Sequence, residues 1–240
     1  MASKVIESER TVKEIEQPSR WERPALAGGI GYVAVFFVGM VCFILFVASK
    51  FAPMDAPPEE HAAAYREMGS LGDVTFYLLT LQAPFLLLFL GGLYAVLRRA
   101  EGGSGALAVS AFGAGIAMSM IWPIGLVIAG GVATGIAEAG GDAITAFNLD
   151  GMAPLSLALS AFPRTVLLGA ASLVLLGSGI APRWIGWTGL ALGALSFIST
   201  GMLVSGAMFP LLMLGTLLFV VWILALCVAL LRRSKGYAAK

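Results

Sequence analysis

The chain has 240 residues, of which 59% are hydrophobic and only 12% are charged, about half the charged fraction expected of a soluble globular domain. This composition excludes water as its main solvent and indicates a membrane protein. The formal net charge is +1, and no soluble segment concentrates enough basic residues to bind nucleic acid, so we expect no nucleic-acid partner.

The chain begins with a polar tail, residues 1–24, of mixed charge. A cleavable signal peptide has a short basic start and a limited apolar core, whereas this long charged tail leads into a full apolar span. A weak interfacial helix and disorder are both compatible with the tail. We expect it to stay in the cytoplasm.

Six apolar stretches follow the tail, each about as long as the hydrocarbon core of a bilayer is thick. For the fourth, Pro182 and Arg183 require an end near Gly179, and its start lies either near Ser160 or earlier, with a kink at Pro163. The predicted fold class is therefore all-α, a six-helix membrane bundle over residues 25–233 with a short tail at 234–240. The predicted spans are 25–49, 74–97, 106–129, 155–179, 185–203 and 209–231.

The distribution of basic residues predicts the orientation of this bundle. With both termini in the cytoplasm, 12 of the 15 Lys and Arg residues lie inside, and only Lys50, Arg66 and Arg164 lie outside or within the membrane. The same orientation places three tryptophans at the inner interface, as in an aromatic belt. These are Trp21, Trp184 and Trp187.

Two long polar connections, near residues 50–73 and 130–151, are predicted on the outer side. In the first, Pro58 can open a short surface helix that stops at Gly69. His61, the single histidine, lies on that helix beside two glutamates, which is weak evidence for a metal site, and we expect its side chain to be solvated. No metal, cofactor or catalytic motif is predicted.

Arg164 is the foremost candidate site residue, because an arginine in an apolar helix is costly without a partner or an aqueous cavity. One interpretation is an anion-binding or gating residue in an outward-facing cavity, approached by Asp150, Asp142 or Asp73. The other is a side chain that reaches outer headgroups or joins a structural ion pair. The shallow depth expected for Arg164 favours the second interpretation.

Two further candidates lie at mid-helix irregularities. Gln82 precedes Pro84 in the second span, and Trp122 precedes Pro123 in the third. A buried amide seeks an interhelical hydrogen bond, and a proline frees a backbone carbonyl, so either position can line a ligand site. Such residues are more often packing features, and the sequence favours that use.

A nine-residue stretch resembles a phrase found in an uncharacterised bacterial family of integral membrane proteins, classed as a domain of unknown function. The resemblance also covers the layout of residues 25–233, and it implies a six-helix bundle in the bacterial cytoplasmic membrane without an assigned activity. The specific part is Pro182-Arg183-Trp184-Ile185-Gly186-Trp187, within residues 181–189.

Three function classes follow, in decreasing order of preference. The first is a non-enzymatic accessory, sensory or small apolar-ligand-binding membrane component, with Arg164, Gln82 and Trp122 lining a cavity. The second is a small oligomeric secondary transporter or channel, although the predicted spans contain no Asp or Glu for proton coupling. The third is an intramembrane enzyme, which needs Glu59, Asp73 and Asp150 to converge on a metal. A lipid, a small apolar ligand, a second copy or a membrane protein are the partners left open.

Overall fold

The computed structural model describes residues 21–52 and 56–238, with side chains described as far as residue 233. Helices account for nearly all of these residues, and the described part of the chain contains no strand. The α-helices are α1 Glu22–Cys42, α2 Pro58–Thr80, α3 Gln82–Glu101, α4 Ala106–Val127, α5 Thr134–Glu138, α6 Ala143–Asp150, α7 Met152–Ser178, α8 Arg183–Ser199 and α9 Phe209–Ala238.

Several of these helices join end to end into longer rods through π-helical or 3₁₀ segments, such as Phe43–Val47 after α1 and Ile128–Ala133 after α4. Six rods are long and apolar enough to cross a bilayer. They are Glu22–Lys50, Pro58–Glu101, Ala106–Glu138, Ala143–Ser178, Arg183–Leu203 and Gly206–Arg233. The expected all-helical chain with six candidate membrane spans is confirmed, and several rods extend well beyond the predicted spans.

The outer surface of the bundle explains why these rods suit a bilayer. Large apolar side chains project from it around the whole circumference, far more than a soluble monomer exposes in one patch. Representative exposed residues are Ile44, Leu88, Val127, Leu173 and Phe197. In lipid these side chains need no further cover.

The six rods form a closed ring in sequence order. Helix α1 packs on α3, α3 on α4, α4 on α7, α7 on α8, α8 on α9, and α9 returns to α1. The main core fills the interior of this ring with residues such as Phe89, Leu167, Phe219 and Ile223. A closed ring gives every rod two neighbours and leaves a single central axis along which polar groups can be buried.

Small residues set the distances between neighbouring rods. A Cβ atom on Gly125 of α4 would lie 1.8 Å from the Oγ atom of Ser156 on α7, and one on Gly189 of α8 would lie 2.1 Å from the Oγ atom of Ser172. Neither contact leaves room for a methyl group, so glycine is required for the approach of α4 and α8 to α7.

One end of the ring is basic, and we call it the basic end: Arg98, Arg99, Arg183, Arg232 and Arg233. There Arg99 forms an ion pair with Glu22 at the start of α1. The Nη1 atom of Arg233 donates to the carbonyl of Gly179 at 3.5 Å, which joins the ends of α7 and α9. The basic residues of two connections and of the end of α9 therefore share one face, as the charge distribution predicted.

The opposite end, which we call the loop end, is covered by the two long connections. The first half of α2 packs against α5 and α6, with Ala62, Tyr65 and Met68 in a second apolar core. At Gly69 the chain turns through a φ of 51°, which ends this half of α2 at the predicted residue. The membrane rod then continues in a new direction.

The sequence predicted that the His61 side chain is solvated, and this prediction is wrong. The side chain is 5% exposed, and its ring packs edge-to-face on Phe147 of α6 with centroids 4.8 Å apart. The Nδ1 atom lies 3.7 Å from the Oδ2 atom of Asp150. The sequence treated this helix as an isolated surface element, whereas α6 covers the face that carries His61.

Candidate functional site

A cavity of about 30 Å³ lies inside the ring, at the junction of five rods. A single water needs roughly 10–15 Å³ measured in this way, so the cavity holds about two water-sized groups. Its wall is formed by Tyr32, Phe36, Gln82, Ala83, Leu86, Met118, Ser119, Trp122, Pro123, Leu157, Ser160, Arg164, Thr216 and Phe219.

Arg164 lies in the middle of α7, 12 residues after Met152 and 14 before Ser178, which is about 18 Å and 21 Å from the two helix ends. Its side chain is 2% exposed. The predicted shallow position, with the side chain reaching outer headgroups, is therefore wrong. The error arose because the helix begins at Met152, so two more turns than the shorter alternative precede Arg164.

The guanidinium of Arg164 is held by two neutral side chains. Its Nε atom donates to Ser196 Oγ on α8 at 3.1 Å, and its Nη1 atom donates to Thr216 Oγ1 on α9 at 2.8 Å. Its Cζ atom lies 5.9 Å from the ring centroid of Phe219, within cation–π range. The Nη2 atom is buried and has no hydrogen-bond partner.

Among the described residues, no carboxylate pairs with Arg164. The three acidic residues that the sequence offered as partners are elsewhere, and Asp150 instead accepts a hydrogen bond from Tyr65 and faces His61 at the loop end. A buried cation that is held by two hydroxyl dipoles and the face of one aromatic ring keeps most of its desolvation cost. The centre of the bundle thus carries an uncompensated positive charge.

Gln82 lies on the cavity wall at the break between α2 and α3. Leu81 interrupts the rod, and Pro84 has no N–H with which to restore the helical ladder. The Nε2 atom of Gln82 donates to the carbonyl of Leu79 at 2.6 Å, which satisfies a carbonyl beside the break. The buried Gln82 side chain therefore supplies a hydrogen bond to the backbone beside the break and also lines the cavity.

Trp122 is half-buried on α4, next to Pro123, and packs against the cores at the loop end and beside α7. Ser119, one turn earlier, also lines the cavity, and its hydroxyl donates to the Ile116 carbonyl at 2.8 Å. The proline at position 123 leaves the Ser119 carbonyl without its usual N–H donor. This irregular turn brings the Trp122 ring and the Ser119 side chain to the wall of the cavity.

The structure places Arg164, Gln82 and Trp122 on the wall of the same cavity, although 82 residues separate the first from the last along the chain. Sequence reasoning missed Tyr32, Thr216 and the apolar wall. The sequence did carry a signal for the wall. Each of the five rods that line the cavity contributes residues three or four positions apart, which share one helix face. These pairs are Tyr32 and Phe36, Gln82 and Leu86, Ser119 and Trp122, Ser160 and Arg164, Thr216 and Phe219.

The chemistry of the wall is that of a binding site. Its surface is mostly apolar, and the polar groups are one guanidinium, one phenol, one amide, one indole and three hydroxyls. Such a wall can hold a small ligand with an apolar body and an anionic or hydrogen-bond-accepting group. Among the wall residues, Tyr32 and Arg164 are the titratable ones, which leaves no general base near neutral pH.

The loop end offers the nearest alternative to this cavity. Tyr65 donates to Asp150, while the Nε2 atom of His61 is buried without a hydrogen-bond partner. Among the described residues, no three His, Cys, Asp or Glu side chains are placed to hold a metal ion. Glu59, Asp73 and Asp150 therefore do not form the metal group that the enzyme hypothesis requires.

One carboxylate at the loop end has a simple structural task. Asp142 caps α6, where its Oδ2 atom accepts from the backbone N–H of Thr145 at 2.8 Å and from the Thr145 hydroxyl at 2.6 Å. Both bonds favour the ionised form and lower the pKa of Asp142.

Comparison with known proteins gives no match for this chain. No protein-family profile, no curated protein and no solved structure matches it. The conclusions about function therefore rest on the chain's own residues and their arrangement.

Proposed function

We propose that the protein is a non-enzymatic component of a cell membrane that binds a small, largely apolar ligand in the cavity at the centre of its ring. The observation that carries the proposal is the convergence of five rods on one cavity with a mostly apolar wall and a few polar groups. A ligand there contacts helices from the first to the last span. Its binding would bias how the rods pack, which suits a sensory or accessory role.

The proposal includes a topology. Both termini lie in the cytoplasm, the basic end faces the inner leaflet, and the loop end faces outward, in the cytoplasmic membrane of a bacterium. The contact between Arg99 and Glu22 supports this, since it gathers the basic connections at one end. An epitope at either terminus that antibodies reach from outside intact cells would contradict it.

Membership of the uncharacterised bacterial family that shares the Pro182-to-Trp187 phrase remains part of the proposal. In the structure Pro182 precedes α8, and Trp184 and Trp187 are exposed at its start. These positions suit an interfacial anchor at the basic end. The phrase is thus explained by membrane anchoring and needs no catalytic role.

Xenon tests the binding proposal, because this small apolar atom enters cavities that stay free of water. We expect xenon NMR of the purified protein in detergent micelles to show a saturable site. Ala83→Leu, which adds three carbons to the wall, should abolish the site. Ala117→Leu makes the same change on an exposed face of α4 and should leave it intact. Xenon uptake that is identical in all three proteins would overturn the proposal.

A second candidate is an oligomeric transporter or channel, and one observation favours it. The rod formed by α2 and α3 is interrupted at Leu81, directly beside Gln82 on the cavity wall, and interrupted helices are typical of transport sites. Uphill flux into reconstituted vesicles that collapses with the proton gradient would rank this candidate first. Passive leakage alone would not.

A further inference from the structure

We infer that the cavity is a site for a monovalent carboxylate, with Arg164 as the group that binds it. This inference rests on the proposed binding function and names the chemical class of the ligand. Three observations lead to it: the free Nη2 atom of Arg164, the missing counter-charge, and the limited volume of the cavity that Arg164 lines.

The first feature is the unused donor. Of the five N–H groups of the Arg164 guanidinium, the one on Nε and one of the two on Nη1 have acceptors in Ser196 and Thr216, while the two on Nη2 are buried with none. A buried donor without an acceptor costs free energy that a ligand oxygen would recover. The edge of a guanidinium that carries Nη2 matches the two oxygens of a carboxylate.

The second feature is charge. Arg164 is the only charged residue on the cavity wall, and no described carboxylate pairs with it. One negative charge on the ligand would neutralise the site, whereas a dianion would leave a second uncompensated charge in a low-dielectric interior. A neutral ligand would leave the cation as it is. Charge balance thus favours a monoanion.

The third feature is size. The cavity accommodates about two water-sized groups, which matches the two oxygens of a carboxylate, and it is only partly enclosed, so the carbon atoms of the ligand are not confined to this volume. Apolar residues such as Leu86 and Met118 form much of the wall around Arg164. The hydroxyls of Ser119, Ser160 and Thr216 already donate to carbonyls of their own helices, so Arg164 is the group that offers free N–H donors to an anion. The wall therefore suits a planar anionic head joined to carbon rather than a hydrated inorganic ion.

The carboxylate has two conceivable sources, a free small acid and the head of a fatty acid that enters from the bilayer. Fluorine NMR distinguishes them with trifluoroacetate as the free acid and a long-chain acid bearing a terminal trifluoromethyl group as the lipid. Trifluoroacetamide, a neutral molecule of nearly the same shape, is the matched control. Binding of trifluoroacetate assigns a free acid, and binding of the long-chain acid alone assigns a lipid.

The expected result in the unmodified protein is that at least one carboxylate binds about tenfold or more tightly than trifluoroacetamide, since hydrogen bonds to charged groups have roughly this effect on affinity. Arg164→Met should lower carboxylate affinity by a similar factor. Arg99→Met removes a cation at the basic end, away from the cavity, and should leave carboxylate affinity unchanged. If Arg164→Met does not fold, the preference of the unmodified protein for carboxylate over amide still tests the inference.

Equal affinity for carboxylate and amide, or unchanged carboxylate affinity in folded Arg164→Met, would overturn the inference. The xenon experiment separates this failure from that of the broader proposal. Xenon bound in the cavity without carboxylate preference leaves the apolar-ligand function standing and removes only the anion. No saturable site for xenon or for any fluorinated probe would remove both.

Discussion

Two arginines in this bundle have opposite surroundings. Arg99, at the basic end, has a side chain that is 35% exposed and forms an ion pair with Glu22, whose side chain is 6% exposed. Arg164, at mid-depth, is almost fully buried and donates only to Ser196 and Thr216. The ring therefore supplies a counter-charge where water already reduces the cost of a cation, and supplies none where the cost is greatest.

The difference separates structural charge from functional charge. The pair of Glu22 and Arg99 joins α1 to α3 and is satisfied by the chain itself. In the proposed binding function, Arg164 is the charge that a ligand satisfies, on the wall of the cavity. A residue kept at high cost in the membrane interior is, on physical grounds, the first place to look for function.

The largest expected effect comes from giving Arg164 a counter-charge within the chain. Ser196→Asp places a carboxylate at the atom that already accepts from Arg164 Nε, and should fold normally while eliminating carboxylate binding. Ser199→Asp buries a carboxylate one turn along α8, where no hydrogen bond to Arg164 exists, and should lower stability by about 3–5 kcal/mol. Thermal unfolding in detergent micelles measures both. Equal destabilisation by the two variants would contradict the comparison.

The next prediction tests whether close packing of α4 holds α7, the helix that carries Arg164, in its position. Gly125→Ala forces a methyl group against Ser156 and should push α4 away from α7, at a cost of about 1–3 kcal/mol. Gly113→Ala lies on the same helix in open space and is the matched control, with an unchanged or slightly raised unfolding temperature. A neutral Gly125→Ala would mean that the rods are not held at this distance.

The comparison itself predicts effects of opposite sign. Glu22→Gln strands Arg99 and should destabilise the protein by about 1 kcal/mol, a figure kept small because Arg99 is partly solvated. Arg164→Met replaces an unpaired buried cation with an apolar side chain and should leave stability unchanged or raise it. A double-mutant cycle of Glu22→Gln with Arg99→Gln isolates the first effect. Strong destabilisation by Arg164→Met would give Arg164 a structural role.

The smallest effect concerns the exposed cap at Asp142. Because its pKa is lowered in the folded protein, its contribution to stability is fully present above the ordinary carboxyl pKa of about 4 and is lost as pH falls through the lowered value. Asp142→Asn keeps an acceptor for Thr145 and should remove this acid dependence with little change at neutral pH. An unaltered acid unfolding profile would show that the carboxylate contributes nothing.

Much of this architecture could be predicted from the sequence, because apolar length and basic residues are local features. The rods and the shared basic end follow from residues such as Arg98 and Arg183 without knowledge of packing. The surroundings of His61 could not be predicted, since they depend on α6 folding back over α2. The same limit applies to Arg164, whose depth depends on where α7 begins.

Only part of the candidate site could be predicted from the sequence. Arg164, Gln82 and Trp122 attract notice because each is polar or irregular within an apolar run. Thr216 does not, because an isolated threonine in a membrane helix usually donates to its own backbone, as this one does to the Leu212 carbonyl. Its second role, accepting from Arg164, depends on the ring closing between α7 and α9.

The most direct test of the unpaired cation is an experimental structure of the whole chain in lipid with bromodifluoroacetate, whose bromine is located by anomalous diffraction. The account predicts a bromine peak inside the ring and a carboxylate within hydrogen-bonding distance of Arg164 Nη2. A carboxylate of the chain itself on that atom, or a guanidinium extended to the membrane surface, would contradict it.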